Sequence, residues 1–165
     1  GNHDIGNRPT KASIDRFKSA FGDDYLAFWT NGSYNIILNS CLFSDPSGAP
    51  EEYAEQLHWL EERLRYARAH EADHIFIFSH HPWFLYDENE SRNDLKGIIP
   101  FPKEWGGDGD KQKGFSDSHF PIDLPYRKIA LRLFKEYGVS ACFSGHFHQN
   151  LLSKTSWGMD MIITA

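Results

Sequence analysis

Ile75-Phe76-Ile77-Phe78-Ser79-His80-His81-Pro82 is the stretch that decides the fold. Consecutive branched and aromatic residues suit a strand buried on both faces, the habit of a parallel sheet. The run then stops in polar residues, so a strand delivers two imidazoles at its carboxyl end. Pro82 confines His81 to extended backbone and holds the pair in one orientation.

On the upstream side, Tyr53, Leu57, Leu60, Leu64 and Ala67 alternate four and three apart, one face of a long helix that His70 closes. Pro46, Gly48 and Pro50 mark a loop before it. Earlier still, the β-rich runs Tyr25 to Trp29 and Tyr34 to Asn39 flank Asn31-Gly32, a dipeptide that accepts the positive φ of a tight hairpin turn. Pro9-Thr10 opens a short helix carried by Ile14, Phe17 and Phe21, which Gly22-Asp23-Asp24 breaks. Downstream, residues 87–123 show little periodicity and exceed an ordinary connection, which predicts a lid or specificity loop. Tyr126, Ile129, Ala130, Leu133 and Tyr137 predict another helix, stopped by Gly138. Val139 to Phe143 then repeats the pattern of buried strand followed by motif, ending in Ser144-Gly145-His146. A last strand, Met159 to Thr164, meets nothing that would close its sheet, so the fold is expected to continue beyond Ala165.

Strands alternating with amphipathic helices predict a single α/β domain over 1–165, with the hairpin adding antiparallel character. In such sheets ligands bind beyond the carboxyl ends of the strands, where both histidine motifs fall. With 23 acidic against 17 basic residues and no dense cationic run, nucleic acid is not an expected partner. No stretch approaches the roughly 20 apolar residues that span a bilayer, so no membrane association is expected of these residues. Cys41 and Cys142 sit in or beside apolar runs and read as buried, reduced thiols, which fits a cytoplasmic setting. The chain opens at Gly1 directly in a motif, as an interior or processed portion of a longer protein would.

Read for chemistry, His146-Phe147-His148 in extended backbone would point two imidazoles the same way, origins about 6 to 7 Å apart. Metal pairs that catalyse phosphoryl displacement lie roughly 3.5 to 4 Å apart, so each ring could lean onto its own ion. Alone, such a pair is as readily polar decoration. His80 leaves an apolar strand and needs a ligand, a partner or water; a hydrogen-bonded structural histidine satisfies that equally. Asn2-His3-Asp4 is either an Asx turn before the first helix or a neutral amide oxygen for a Lewis-acidic metal, with His3 free to protonate a leaving oxygen.

Gly1-Asn2-His3-Asp4, His80-x-Pro82 and Gly145-His146-x-His148, in that order and separated by helix-bearing segments, resemble the later signature motifs of the calcineurin-like metallophosphoesterases. Gly1 to Asn7, Gly22-Asp23-Asp24-Tyr25 and Leu38-Asn39-Ser40 are similar to the calcineurin-like phosphoesterase domain-containing protein phosphatases, a branch near the purple acid phosphatases. The likeness covers nearly the whole chain, with residues 87–123 longer than that pattern. It implies a metallophosphoesterase-type β-sandwich with flanking helices in αββα layers, incomplete at both ends. It also implies two divalent or trivalent transition-metal ions, manganese, iron or zinc, with Asn2, His80 and His146 on one ion and His148 on the other. His3 would be catalytic, and His81 and Arg8 are candidates to bind substrate.

Such a centre implies hydrolysis of phosphate monoesters, including those of phosphoproteins, by metal-bound hydroxide. Phosphodiester cleavage is the enzymatic alternative and a non-catalytic scaffold the other. The family also carries Asp-x-His and Gly-Asp-x-x-Asp motifs ahead of the Asn-His-Asp; neither precedes Asn2 here. Three ligands for one ion and one for its neighbour are too few to hold a bridged pair. A phosphatase parent, with these residues inactive in isolation, is therefore the expectation.

Overall fold

The computed structural model describes residues 1–100 and 114–165. Its centre is a six-stranded mixed sheet in the order β1-β2-β3-β6-β8-β7. The two outer strands are antiparallel to their neighbours: β1 (Leu26–Thr30) to β2 (Ser33–Leu38), and β7 (Leu151–Lys154) to β8 (Asp160–Ile163). Between them β2, β3 (His74–Ser79), β6 (Ala141–Ser144) and β8 run parallel. The hairpin turn is the expected one, with Asn31 at φ 44 and Gly32 at φ 81, both left-handed as a two-residue turn of this twist requires.

Parallel neighbours need crossovers, and for two of the three parallel pairs a helix supplies it. Helix α4 (Pro50–Ala69) links β2 to β3, starting on Pro50 at its first turn and burying Leu60, Leu64 and Ala67. Helix α5 (Leu124–Glu136) links β3 to β6 and buries Arg127, Ala130, Leu131, Leu133 and Phe134. Ile129, expected on the inner face, is instead partly exposed, and Arg127 takes the inner row. Both helices pack on the sheet face made by Tyr34, Ile36, Leu38, Ile75, Ile77, Cys142, Met161 and Ile163, joined there by Trp83, Phe84 and Leu85.

Because strand side chains alternate, the opposite face carries the intervening residues. There Phe28, Ile37 and Leu26 are exposed, and Phe76, Phe78, Phe143 and Ile162 are half-buried. The mixed α/β sheet with flanking helices is thus as expected. Of the layered arrangement, the described residues build one six-stranded sheet and its helical layer.

Short helices cluster at the carboxyl end of the parallel strands. Helix α1 (Asn2–Ile5) and helix α2 (Lys11–Phe21, capped by Thr10 accepting from Ser13 N) pack through Ile5 and Ile14 on Leu42 of α3 (Cys41–Ser44). Periodicity could not reveal α1 or α3, each a single turn. The last-strand expectation needs correction: β8 lies inside the sheet, and β7 closes its free side through the register Leu151↔Ile163 to Lys154↔Asp160. Leu151-Leu152-Ser153-Lys154 is too short and too polar to announce itself as a strand. Of the long segment 87–123, residues 101–113 lie outside the described residues, and the remainder includes a small antiparallel pair, β4 (Ile98–Pro100) with β5 (Gly114–Ser116). No helix among the described residues is long and apolar enough to cross a membrane.

Candidate metal centre

The carboxyl ends of β2, β3 and β6 sit side by side, in the registers Leu38↔Ser79 and Ser79↔Ser144. Whatever follows each strand is therefore delivered to one rim: Ser40 after β2, His80 and His81 after β3, His146 and His148 after β6. Gly145 N donates to His80 O at 3.1 Å, which stitches two of the motifs together. Helix α1 approaches from the side so closely that a Cβ on Gly1 would come within 2.8 Å of the His80 ring. Asn2 then meets His80, its Oδ1 lying 2.8 Å from His80 Nε2. Asn2 Nδ2 donates to Asn7 Oδ1 at 2.7 Å, which turns the amide oxygen towards the imidazole.

Three imidazoles converge at this rim. Ring centroids of His80 and His146 are 4.7 Å apart, those of His81 and His146 4.4 Å, and those of His80 and His81 5.0 Å. One ligand atom from each lies within 4.8 Å of the others, the one cluster of this kind among the described residues. Asn2, His3, His80, His81, His146 and His148 all line one cleft of about 680 Å³.

The backbone at the second histidine motif differs from the extended form expected. His146 has φ 65 and His148 φ 57, both left-handed, while no positive φ falls on Gly145. Crowding of Cβ against the following carbonyl oxygen costs about 1–2 kcal/mol at each such residue. The turn is held by Phe147, 3% exposed, whose N–H donates to Gly145 O at 2.7 Å and whose ring packs edge-on against Phe120 at 5.3 Å. Strain of this kind persists where the surroundings overdetermine it.

Burial dominates the electrostatics. It lowers the His80 pKa to about 4, with neighbouring positive groups adding to the effect. His146 falls to about 4 by burial and then by the charges of His80 and His148. His81 falls to about 2, again by burial first and then by His146 and His80. At neutral pH all three are uncharged, the form in which imidazole binds a metal without displacing a proton.

Arg8 stands apart from this cleft: its Nε donates to Ser47 Oγ at 2.9 Å and it does not contribute to the lining. Several lining residues carried no assignment in the sequence. Arg92 and Asp123 form an ion pair at the mouth, and Phe115, Phe120 and Tyr126 make the far wall together with His119, which the sequence did offer as a substrate contact. Nothing in the sequence alone joins residue 92 to residue 123. Ser40, 1% exposed, was legible only as part of Leu38-Asn39-Ser40, with no role attached.

Do these residues fit a transition metal? Asn2 Oδ1 and His80 Nε2 meet at 2.8 Å, a hydrogen-bond distance, and two donors sharing an ion at about 2.1 Å would stand roughly 3.0 to 3.4 Å apart, so a small separation of the pair would admit one. An all-imidazole and amide-oxygen set without thiolate suits manganese, iron or zinc. A bridged pair needs carboxylate as well, and the cleft offers only Asp45 and Asp123. Asp45 is held ionised by the Ser47 hydroxyl and amide, and Asp123 is engaged by Arg92. The described residues therefore fit one ion well and a second only in part.

Comparison with known proteins bears on the same point. No family model matches the chain. Serine/threonine-protein phosphatase CPPED1 of Danio rerio is 33% identical to it over all 165 residues. The chain is a homologue of this phosphatase. It spans 45% of the length of that phosphoesterase relative, about half. Among solved structures, a dimetal phosphatase from Danio rerio superposes with a TM-score of 0.53 over 91% of this chain and 55% of its own, at 13% identity. GAP50, the anchor in the inner membrane complex of Plasmodium, superposes at 0.51 over 84% of this chain and 35% of its own, at 17% identity. These two likenesses show that the chain shares its fold with those structures, one of them a dimetal phosphatase.

Proposed function

We propose that this chain forms the imidazole wall of a metal-dependent phosphatase that hydrolyses phosphate monoesters, with phosphoserine and phosphothreonine of proteins as the substrate class. The observation that carries the reading is the meeting of Asn2, His80 and His146, from distant parts of the chain, within one cleft. A chain without metal chemistry has no physical use for three uncharged imidazoles, His81 buried and His80 and His146 half-buried, crowded at one strand mouth. The CPPED1 relative's name supports the seryl and threonyl substrate class.

In this reading Asn2, His80 and His146 hold one ion and His148 turns towards a second; manganese, iron and zinc all suit the donors. Bound there, such ions neutralise phosphoryl charge and activate water for in-line displacement. The protein's own residues do the rest. His3, on α1 at the cleft wall, donates a proton to the oxygen leaving phosphorus. Asn7 keeps the Asn2 amide oxygen turned inward. Arg92 and His119 meet the anionic substrate at the mouth, and Phe115, Phe120 and Tyr126 exclude water from the far side. Residues 87–123 act as the specificity loop. A reducing, cytoplasmic setting accords with the free, buried Cys41 and Cys142.

The test is a metal titration of the protein by calorimetry, followed by turnover of a phosphoserine peptide and of a matched diester. The reading requires metal binding that His146→Ala removes and a preference for the monoester. Diester preference would replace it with a phosphodiesterase, and absence of metal binding would leave a scaffold. GAP50 shows that this fold also occurs in a protein described as an anchor, so the fold alone does not decide between them.

A further inference from the structure

We infer that Ser40 is a positioning residue that fixes His81 as an Nε2–H donor at the cleft, so that His81 grips a substrate oxygen and leaves the metal to its neighbours. The identity of that oxygen rests on the phosphatase reading; the proton arrangement does not.

The argument is one of hydrogen accounting. A serine hydroxyl has one hydrogen to give and two lone pairs with which to accept. Ser40 Oγ accepts from His80 N at 3.1 Å and from His81 N at 2.9 Å, which uses both lone pairs. Its third contact is His81 Nδ1 at 3.0 Å, so the single hydroxyl hydrogen goes there. Nδ1 of His81 is then an acceptor. A neutral imidazole carries one proton, and it stands on Nε2. The reverse arrangement would aim three donors at one oxygen and strand the hydroxyl hydrogen in a site where Ser40 is 1% exposed, at a cost of about 1–3 kcal/mol for the unmade bond.

His81 is itself 3% exposed, lines the cleft, and has Nε2 free of any hydrogen-bond partner among the described residues. By proximity alone it would join His80 and His146 as a third ligand. Coordination needs a bare nitrogen, however, and Ser40 blocks one while placing the proton on the other. Ser40 places no such restraint on His80, because its backbone N–H and not its ring meets the hydroxyl; the His80 ring faces the Asn2 amide oxygen, which leaves its Nδ1 bare. Ser40 therefore divides two adjacent histidines between two tasks: His80 binds metal, and His81 donates a hydrogen bond to phosphoryl oxygen. Ser40 has this reach because β2 and β3 are paired in parallel and end level, at Leu38 and Ser79.

Long-range ¹H–¹⁵N correlation on histidine-labelled protein reads the tautomer directly, with His81→Gln to assign the signal. His81 is expected as the Nε2–H form in the unaltered protein and in Ser40→Thr, and as a mixture in Ser40→Ala. Adding zinc is expected to shift the ring nitrogens of His80 and His146 and to leave the His81 Nε2 proton in place. An Nδ1–H tautomer in the unaltered protein, or loss of the Nε2 proton when zinc binds, overturns the proposal without any variant having to fold. If zinc moves none of the three rings the phosphatase reading fails, and the tautomer alone then upholds or overturns the role of Ser40. With inorganic phosphate as probe on the zinc-loaded protein, Ser40→Ala is expected to weaken binding roughly tenfold at unchanged zinc stoichiometry, and Ser40→Thr to restore it. A fall in zinc stoichiometry with Ser40→Ala would instead make His81 a ligand.

Discussion

Replacing Arg127 by Met tests whether the cleft's far wall is a built structure or a loose loop. Arg127 is 1% exposed and donates to Trp83 O at 3.0 Å, to Ile122 O at 3.3 Å and to Glu90 O. Its Nη1 lies 3.9 Å from Glu90 Oε1. Glu90 in turn accepts from the amides of Leu85, Tyr86 and Asp87 at 2.7, 2.9 and 3.0 Å. One guanidinium thus ties the segment after β3 to the segment before α5. Removing one partner of a buried ion pair costs about 3–5 kcal/mol. The three amides on Glu90 continue to solvate its carboxylate, and Met refills most of the volume, so the low end applies: about 3 kcal/mol. For a chain of this size that lowers Tm by roughly 6–12 °C. Urea unfolding measures the loss, and amide exchange locates it, with faster exchange over 83–97 and 114–123 and little change in β2, β3 and β6. Glu90→Gln gives a second single variant, and the double variant is expected to fall short of the summed losses by about 1 kcal/mol or more, since both residues serve one contact. A loss below about 1 kcal/mol, or exchange that quickens evenly through the sheet, would refute the anchoring role.

Acid should destabilise the fold through the clustered imidazoles. His80 and His146 have folded-state values of about 4, below their ordinary 6.5, so the unfolded chain binds more protons in between. Stability is then full above pH 6.5 and falls as pH drops towards 4, by an amount on the order of 1–2 kcal/mol after allowance for their partial exposure. Urea midpoints at pH 7 and pH 5 measure the slope, and the double His80→Gln, His146→Gln variant should lessen it, leaving the part contributed by buried His81. The two sheet faces should respond differently to truncation: Ile36→Ala, fully buried, should cost about 2–5 kcal/mol and Ile37→Ala, 36% exposed, under about 1 kcal/mol. Equal losses in urea unfolding would mean the outer face is packed as tightly as the inner. Gly32→Ala should cost about 1–2 kcal/mol, because position 32 is left-handed at φ 81 and faces Asp73, whereas Gly145→Ala, at a position without positive φ, should cost less.

The regular elements were readable because each announced itself over several residues. Ile75 to Phe78 had to be a strand, though the described residues cover only its Ile75 and Ile77 face; Tyr53 to Ala67 had to be a helix, and Asn31-Gly32 had to be a hairpin turn. What escaped was short or context-dependent. Helices α1 and α3 have four residues each, too few for a period to repeat. Strand β7 exists because β8 offers it an edge, not because Leu151 to Lys154 prefers extension. The site shows the same division. His80 and His146 were marked by lying at strand ends, which is a matter of local pattern. The left-handed turns at His146 and His148 depend on Phe147 finding Phe120, a partner separated by the whole of α5, and no local rule foretells it.

Layering and chemistry divide along the same line. The sheet is clothed by α4 and α5 on one side, while Phe76, Phe78 and Phe143 stack together on the other, with centroids 5.9 and 5.0 Å apart, half open to solvent. A sheet with one apolar face uncovered is half of a layered fold, since each apolar face needs a partner layer. The cleft is likewise rich in the neutral donors of such a centre and poor in the carboxylates that bridge two ions: Asn2, His80, His146 and His148 are gathered, and its two carboxylates are already engaged. The bare face reaches the cleft through a single strand, for Phe78 belongs to that face and His80, two residues on, belongs to the site. A polypeptide that covered Phe78 would therefore stand next to His80, so packing of a second layer and completion of the proposed metal centre would be one physical event.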